Sequence, residues 1–238
     1  MNRSGDVAGI LYEMLNAFRG ILLDINSSDE STIHPANGVL IQSMKIFYGN
    51  TDGVQSISGN RDYTIGPYSV MFDCWVCKLE EDAEWICQGE KGRRYIFLLN
   101  NTYDVWQMTC CPGAPFSNLK LTSRLIPMIQ RYKKSYFDEC WVPLSNPCRL
   151  DKFTSDFLLI CDRQMIWKVT TELKYKLRQE IADLIVPPYE VFLLAVEANR
   201  SRLPVMVYQL RRVMAGRKKQ KKFTAEALKK IIGELFEG

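Results

Sequence analysis

The hydrophobic pattern of the chain changes along its length, and these changes predict an α+β fold. The first 25 residues carry apolar side chains at the three- and four-residue spacing of one helical face, which predicts an amphipathic helix. Ser4 or Asp6 could cap its first amides, and the polar residues 26–38 predict a loop after it. The apolar positions are Val7, Ile10, Leu11, Met14, Leu15, Phe18, Ile21, Leu22 and Ile25.

Residues 39–111 hold β-branched and aromatic side chains in short runs, separated by residues that favour turns, such as Asn50-Thr51-Asp52-Gly53 and Asn100-Asn101. Such runs are typical of strands, and short connections favour antiparallel hairpins over helical crossovers. We therefore expect an antiparallel meander of about five strands and no doubly wound nucleotide-binding sheet. The candidate strands are Val39–Tyr48, Tyr63–Ile65, Ser69–Leu79, Glu84–Gln88, Arg94–Leu99 and Tyr103–Cys110.

Beyond residue 111 the apolar spacing returns to that of helices, which predicts a mainly helical C-terminal half packed on the sheet. A helix that begins at Thr171 is expected to stop at Pro187-Pro188. Tyr189–Asn199 is apolar nearly all round, which predicts a buried central helix. The run Phe153–Val169 fits either a strand or a helix. Further helices are expected to begin at Pro127 and Pro204 and after a cap at Thr224.

We expect three segments: a helix plus sheet at residues 1–115, a helical region at 116–215, and a basic linker with a terminal amphipathic helix at 216–238. The net charge of +4 is spread unevenly over the chain. Residues 1–115 carry a net charge of −6, residues 116–199 carry +2 and residues 200–238 carry +8. The C-terminal segment is therefore the candidate contact for an anionic partner.

The positive charge concentrates in residues 211–222, called the basic segment below. Lysine and arginine at this density can neutralise phosphates and release counterions, which predicts binding of nucleic acid, RNA above all. The run Arg217–Lys222 also has the form of a nuclear import signal, for which the partner would be an import receptor. A solvated linker and a contact with an anionic membrane surface are the other interpretations. The expected contact residues are Arg211, Arg212, Arg217, Lys218, Lys219, Lys221 and Lys222.

Metal and nucleophile chemistry have little support in the sequence. Cys74 and Cys77 have the Cys-x2-Cys spacing of a zinc ligand pair, but residues three apart in an extended strand face opposite sides, and no second pair follows. Buried structural thiols are the favoured interpretation, with zinc as the alternative. His34 is the single histidine and precedes Pro35, which predicts a surface loop residue rather than a catalytic one. We expect no catalytic residue, metal or cofactor, and no phosphate-binding glycine motif occurs.

Two further groups of side chains belong to the expected sheet. The acidic run Glu80–Glu84 is expected to form a solvated turn between two strands. The aromatic side chains fit a buried cross-strand core, and stacking on unpaired bases is the alternative. These aromatic residues are Trp75, Trp85, Tyr95, Phe97, Tyr103 and Trp106.

Charged residues interrupt the apolar stretch at residues 7–25, and no secretory signal pattern precedes it, so we expect no transmembrane segment and an intracellular location in cytoplasm and nucleus. Together these features predict a non-enzymatic assembly or accessory protein of viral type that engages nucleic acid or an import receptor. The first alternative is a self-assembling matrix, capsid or occlusion protein that forms homo-oligomers through its N-terminal helix. An enzyme that uses His34 with a cysteine or a metal is the second.

Overall fold

The computed structural model describes residues 3–25, 32–58, 62–110, 121–201 and 222–238. Within these ranges the regular structure is helical, apart from a single β-type bridge between Lys168 and Glu237. The chain divides into two compact units, residues 1–134 and residues 135–238. In chain order the helices are α1 (Arg3–Asp24), α2 (Pro35–Ser58), α3 (Asp62–Cys87), α4 (Lys91–Cys110), α5 (Thr122–Cys140), a short 3-10 helix (Val142–Leu144), α6 (Leu150–Met165), α7 (Thr171–Ser201) and α8 (Ala225–Ile232).

The predicted β-meander and the α+β class are wrong, because α2, α3 and α4 occupy nearly all the residues of the expected strands. Buried apolar side chains in these helices recur every three or four residues, which is the period of a helix and not of a strand. β-branched and aromatic residues favour strands only weakly, and the periodic burial outweighs that preference. In α3 the buried positions include Tyr68, Phe72, Trp75, Leu79, Ala83 and Ile86.

Asn100 and Asn101, which the sequence predicts to form a turn, lie inside α4. The side-chain amide of Asn100 donates to the carbonyl of Thr32 at 2.7 Å, and Oδ1 of Asn101 accepts from the backbone N–H of His34 at 2.7 Å. Asn101 also donates to the carbonyl of Phe97 at 2.9 Å. The two side chains therefore satisfy backbone groups of the loop before α2, and they fix that loop instead of ending a helix.

α3 is the central helix of unit 1 and contacts α1, α2 and α4. Its Trp75 is fully buried, and the indole Nε1–H donates to Oδ1 of Asn37 on α2 at 3.0 Å. Asn37 in turn donates to Oδ2 of Asp104 on α4 at 2.9 Å. Burial raises the pKa of the Asp104 carboxyl, and the hydrogen bond from Asn37 opposes the shift. A satisfied polar network thus joins three helices inside an apolar core.

In unit 2 the pair Pro187-Pro188 lies inside α7 and does not end it, so the predicted stop is wrong. Each proline lacks the N–H that would bond the carbonyl four residues earlier, which normally breaks a helix. Ile185, Val186 and Tyr189 on either side are buried, and their burial stabilises the helix across both prolines. Pro127 likewise lies inside α5 and not at its first residue.

The second half of α7 is not a buried central helix, because the side chains of Val191 and Leu194 are 67% and 66% exposed. The ambiguous run 153–169 is helical through Met165, in α6. The predictions of a helix at the N-terminus and of a final helix after Thr224 are confirmed by α1 and α8. The expected segment boundaries near residues 115 and 215, and the helix expected at Pro204, lie outside the described residues.

Candidate interaction surface

Of the seven expected contact residues, the structure describes Lys222. Its side chain is exposed and forms an ion pair with Glu197 in the second half of α7. The other six lie outside the described residues, so their role as contact residues stays a prediction. These six are Arg211, Arg212, Arg217, Lys218, Lys219 and Lys221.

Two hydrogen bonds fix the chain immediately after the basic segment. The backbone N–H of Phe223 donates to the hydroxyl oxygen of Tyr189 at 3.2 Å, and that hydroxyl donates to the carbonyl of Phe223 at 3.3 Å. The Tyr189 ring stacks on Phe153 with 4.5 Å between ring centroids. Burial raises the pKa of the Tyr189 hydroxyl, which keeps it protonated and able to donate. Ser201 is the last residue of α7, and these hydrogen bonds attach Phe223, the second residue after positions 202–221, to the same helix.

α8 adds positive charge beside this anchor. The side-chain oxygen of Thr224 accepts from the backbone N–H of Ala227 at 3.1 Å and caps the helix. Leu228 is fully buried, whereas Lys229 and Lys230 are exposed in the last turn, where cations interact favourably with the helix dipole. The described cations at this end of the chain are thus Lys222, Lys229 and Lys230.

The last four residues dock on the C-terminal end of α6 through their backbone. The N–H of Phe236 donates to the carbonyl of Gln164 at 3.1 Å. The N–H groups of Glu237 and Gly238 both donate to the carbonyl of Met165, at 3.1 and 3.0 Å. These bonds add donors to two carbonyls in the last turn of α6, where α-helical hydrogen bonds end, and the Gln164 carbonyl also accepts from the N–H of Trp167 at 3.2 Å.

Side chains of α7 hold the same four residues from the other side. Nε of Arg178 donates to the carbonyl of Leu235 at 3.0 Å, and its guanidinium also pairs with the Glu237 carboxylate. The Lys174 ammonium lies 3.3 Å from that carboxylate. Hydrogen bonds from Arg178 and then Lys174 lower the pKa of Glu237 below its usual range. Residues 235–238 therefore connect α8 to both α6 and α7.

His34 is not a surface loop residue: its side chain is buried in unit 1. Nδ1 accepts from the backbone N–H of Ala36 at 3.1 Å, and Nε2 lies 2.9 Å from Oδ2 of Asp82. The other carboxylate oxygen, Oδ1, lies 3.2 Å from Nζ of Lys78. The Nε2 contact is close but lacks good hydrogen-bond geometry. Burial lowers the pKa of His34 and outweighs the opposing effect of Asp82. The imidazole is therefore neutral near pH 7 and holds the start of α2 in place.

The cysteines whose side chains the structure describes are free thiols. Because Cys74 and Cys77 lie on a helix, they are on neighbouring sides of α3, not on opposite faces of a strand. Sγ of Cys74 accepts from Nε of Arg19 at 3.4 Å. Burial alone raises the pKa of the Cys161 thiol to about 12. No group of histidine, cysteine and acidic side chains gathers to hold a metal ion in the described part of the chain.

The acidic run 80–84 is not a turn between strands, because it lies inside α3. Successive side chains of a helix point in different directions, so each acidic side chain of this run contacts a different neighbour. Glu80 accepts from the Tyr132 hydroxyl at 2.9 Å, and burial with this acidic neighbour raises the pKa of Tyr132 to about 12. Asp82 faces His34 inside the core, and Glu84 pairs with a cation of α4, Arg94, at 3.1 Å.

The aromatic side chains of the same region do not form one surface. Trp75 and Tyr103 are buried, which confirms the core interpretation for these two. Trp85 is exposed, and Trp106 is half-buried and 5.4 Å from Tyr103 between ring centroids. Sequence reasoning missed that Trp85 is set apart from the others, although the helical spacing of α3 would have placed it on the outer side.

The described residues form a helical protein with an anchored C-terminal tail and exposed lysines beside it. None of its described helices is long and apolar enough to cross a membrane. The family model for the C-terminal part of the Exo70 subunit of the exocyst complex matches residues 11–234. Because that match covers nearly the whole chain, the chain belongs to this family. No curated protein matches the chain.

Family membership overturns the predicted function. The chain is not a viral assembly or nucleic-acid protein, and its partners are not RNA or an import receptor, because it belongs to a family of exocyst subunits. The expected nuclear location has no support. The family agrees with an intracellular location and with a chain that is not an enzyme. A basic run is common to phosphate-binding and import segments, so its composition alone cannot separate these from other anionic partners.

Proposed function

We propose that this chain is a non-catalytic component of a vesicle-tethering complex of the exocyst type, acting on the cytoplasmic side of the plasma membrane. The observation that carries the proposal is the match of the exocyst family model from residue 11 to residue 234. The helical architecture supports it, since long packed helices offer extended surfaces for other subunits. Its partners would be other subunits of the complex.

Co-purification tests this assignment. The tagged full chain is expressed with the other exocyst subunits of its host and purified at physiological salt, and the bound proteins are identified by mass spectrometry. We expect the other subunits to co-purify and to stay with the chain through size exclusion. Purification of the chain alone, with intact helical circular dichroism, would contradict the proposal. A variant with Leu228→Asp, which buries a charge in the core beneath α8, serves as the unfolded control.

Within this function we propose that the basic segment contacts an anionic membrane surface. The net charge of +8 over residues 200–238 supports this, since each surface Lys or Arg near anionic lipid contributes about 1 kcal/mol. The anchor at Phe223 and the exposed lysines of α8 support it further. The contact residues would be Arg211, Arg212, Arg217, Lys218, Lys219, Lys221 and Lys222.

Vesicle sedimentation tests the membrane contact. We compare vesicles with and without about 30% phosphatidylserine, whose negative surface potential attracts clustered cations. Replacing Arg217, Lys218, Lys219 and Lys221 by Gln is expected to abolish the lipid-dependent binding and its salt dependence. The matched control neutralises four exposed cations elsewhere: Lys45, Lys91, Lys152 and Arg163. Equal losses in the two variants would mean that net charge alone, and not this segment, attracts the membrane.

A further inference from the structure

Trp85 differs from the other tryptophans of the chain. Trp75, Trp141 and Trp167 are buried and Trp106 is half-buried, whereas Trp85 is 74% exposed. Its ring has no aromatic or cationic partner among the described residues. Tryptophan carries the largest apolar surface of any side chain, and exposed instances are enriched where proteins bind one another. The indole of Trp85 is therefore accessible to a partner outside the fold.

The outer side of α3 gives Trp85 acidic surroundings. Residues four apart lie above one another on a helix, which aligns Cys77, Glu81 and Trp85 in one exposed row. Glu84, next to Trp85, is also exposed and pairs with Arg94. The carboxylate of Glu81 forms no ion pair within the described ranges. Among the described residues Glu81 is thus an unpaired negative charge one helical turn from an exposed indole.

A carboxylate beside an indole face is complementary to a cationic side chain. The indole quadrupole attracts Lys or Arg above the ring, and the carboxylate accepts hydrogen bonds from the same cation. The net charge of −6 over residues 1–115 adds a field of the same sign. An anionic membrane would be repelled by this charge, so the surface fits a protein segment and not a lipid headgroup.

We propose that Trp85 and Glu81, with Glu84 beside them, form a docking surface for a lysine- or arginine-bearing segment of another protein. We call it the Trp85 surface. It is independent of the proposed membrane contact, which uses the opposite charge and residues of the other unit. It also does not depend on which complex the chain joins.

Fluorescence anisotropy with the full chain tests the proposal. The probe is a labelled peptide with the sequence GKGRGKGRGK, which is foreign to this chain, and the matched peptide has Gln at its five cations. At low salt we expect the cationic peptide to bind and the Gln peptide not to bind. Trp85→Ala is expected to weaken binding by about three- to thirtyfold, the range of a cation–π contact. Glu81→Lys is expected to weaken it at least as much, and Glu81→Gln less.

Two matched variants control for the loss of an exposed apolar side chain and for charge reversal. Ile166→Ala removes a side chain that is also 74% exposed but lies in unit 2, and Glu190→Lys reverses an exposed acid there. Both should leave the peptide affinity unchanged. Because Trp85 and Glu81 are exposed, their variants should keep the wild-type circular dichroism and thermal unfolding.

Several results would overturn the proposal. These are no binding of the cationic peptide to the wild type, equal binding of the Gln peptide, and equal affinity of Trp85→Ala, Glu81→Lys and the wild type. Vesicle binding that Trp85→Ala abolishes would reassign the surface to membranes. Self-association of the wild type that Trp85→Ala abolishes would make a second copy of the chain the occupant, in place of another protein.

Discussion

Phe223 and Tyr189 exchange two hydrogen bonds, of 3.2 Å from the Phe223 N–H and 3.3 Å to its carbonyl. One phenol hydroxyl thus satisfies both backbone groups of a buried residue 34 positions away in the chain. This pair joins α7 to the residue that precedes the cap of α8. It therefore fixes the N-terminal end of α8 against α7.

Replacing Tyr189 by Phe should lower the free energy of unfolding by about 1–3 kcal/mol, the cost of leaving buried backbone groups unsatisfied. Urea unfolding followed by circular dichroism measures the change. Tyr175→Phe is the matched control, because the Tyr175 side chain is 65% exposed. A Tyr189→Phe protein as stable as this control would show that water replaces the hydroxyl.

Arg178→Gln should loosen the last four residues of the chain. The guanidinium bonds the Leu235 carbonyl and pairs with Glu237, so the substitution removes a charged donor from both groups. We expect faster amide exchange at residues 235–238 and weaker protection of α8, measured by hydrogen–deuterium exchange with mass spectrometry. Arg163→Gln, at an exposed position of α6, should leave the exchange unchanged. Unaltered protection in Arg178→Gln would mean that the backbone bonds to Gln164 and Met165 hold the tail alone.

The lowered pKa of His34 predicts a loss of stability in mild acid. In the unfolded chain the imidazole titrates near its ordinary value of about 6.5, whereas the folded protein resists protonation, so below that pH the unfolded state binds more protons. The contribution is complete above about pH 6.5 and is lost as the pH falls toward the folded pKa. His34→Asn keeps an acceptor for the Ala36 N–H but does not titrate.

We therefore expect the urea midpoint of the wild type to fall relative to that of His34→Asn between pH 7.5 and pH 5.5. Comparing the two proteins at each pH cancels the titration of the carboxyl groups they share. Parallel pH profiles for the two proteins would refute a neutral buried His34.

Trp75→Phe should destabilise unit 1 by about 1–3 kcal/mol, because it leaves the buried Oδ1 of Asn37 without its donor. Trp85→Phe, at an exposed position, should change stability by no more than about 0.5 kcal/mol. Thermal unfolding of both variants measures the contrast. Equal effects at the two positions would be inconsistent with the burial of Trp75.

Local signals such as the cap at Thr224 could be predicted from the sequence, since an N-cap acts through its own first turn. Asn100 and Asn101 could not be interpreted in this way, because their partners, Thr32 and His34, are 67 or 68 residues away in the chain. Turn propensity describes what an asparagine does without tertiary partners. The apolar spacing of α3 predicts a helix, whereas its β-branched and aromatic content predicts strands, and the spacing is the better guide here.

The interaction surfaces show the same limit. The charge of the basic segment was evident, but charge alone does not distinguish nucleic acid from a membrane. The exposure of Trp85 and the inward direction of Asp82 depend on which side of α3 faces the core. That direction follows from packing against three other helices, which no short stretch of sequence specifies.

The pair Pro187-Pro188 has a mechanical consequence for α7. Without N–H groups at these positions, the carbonyls of Asp183 and Leu184 have no partner in the helical ladder. A helix under tension yields first where its axial bonds are missing, so a pulling force applied along α7 would concentrate its extension at this point. Because Tyr189 stacks on Phe153 and bonds to Phe223, α7 stays attached to α6 directly after the prolines, which confines the extension to the turn around Pro187 and Pro188.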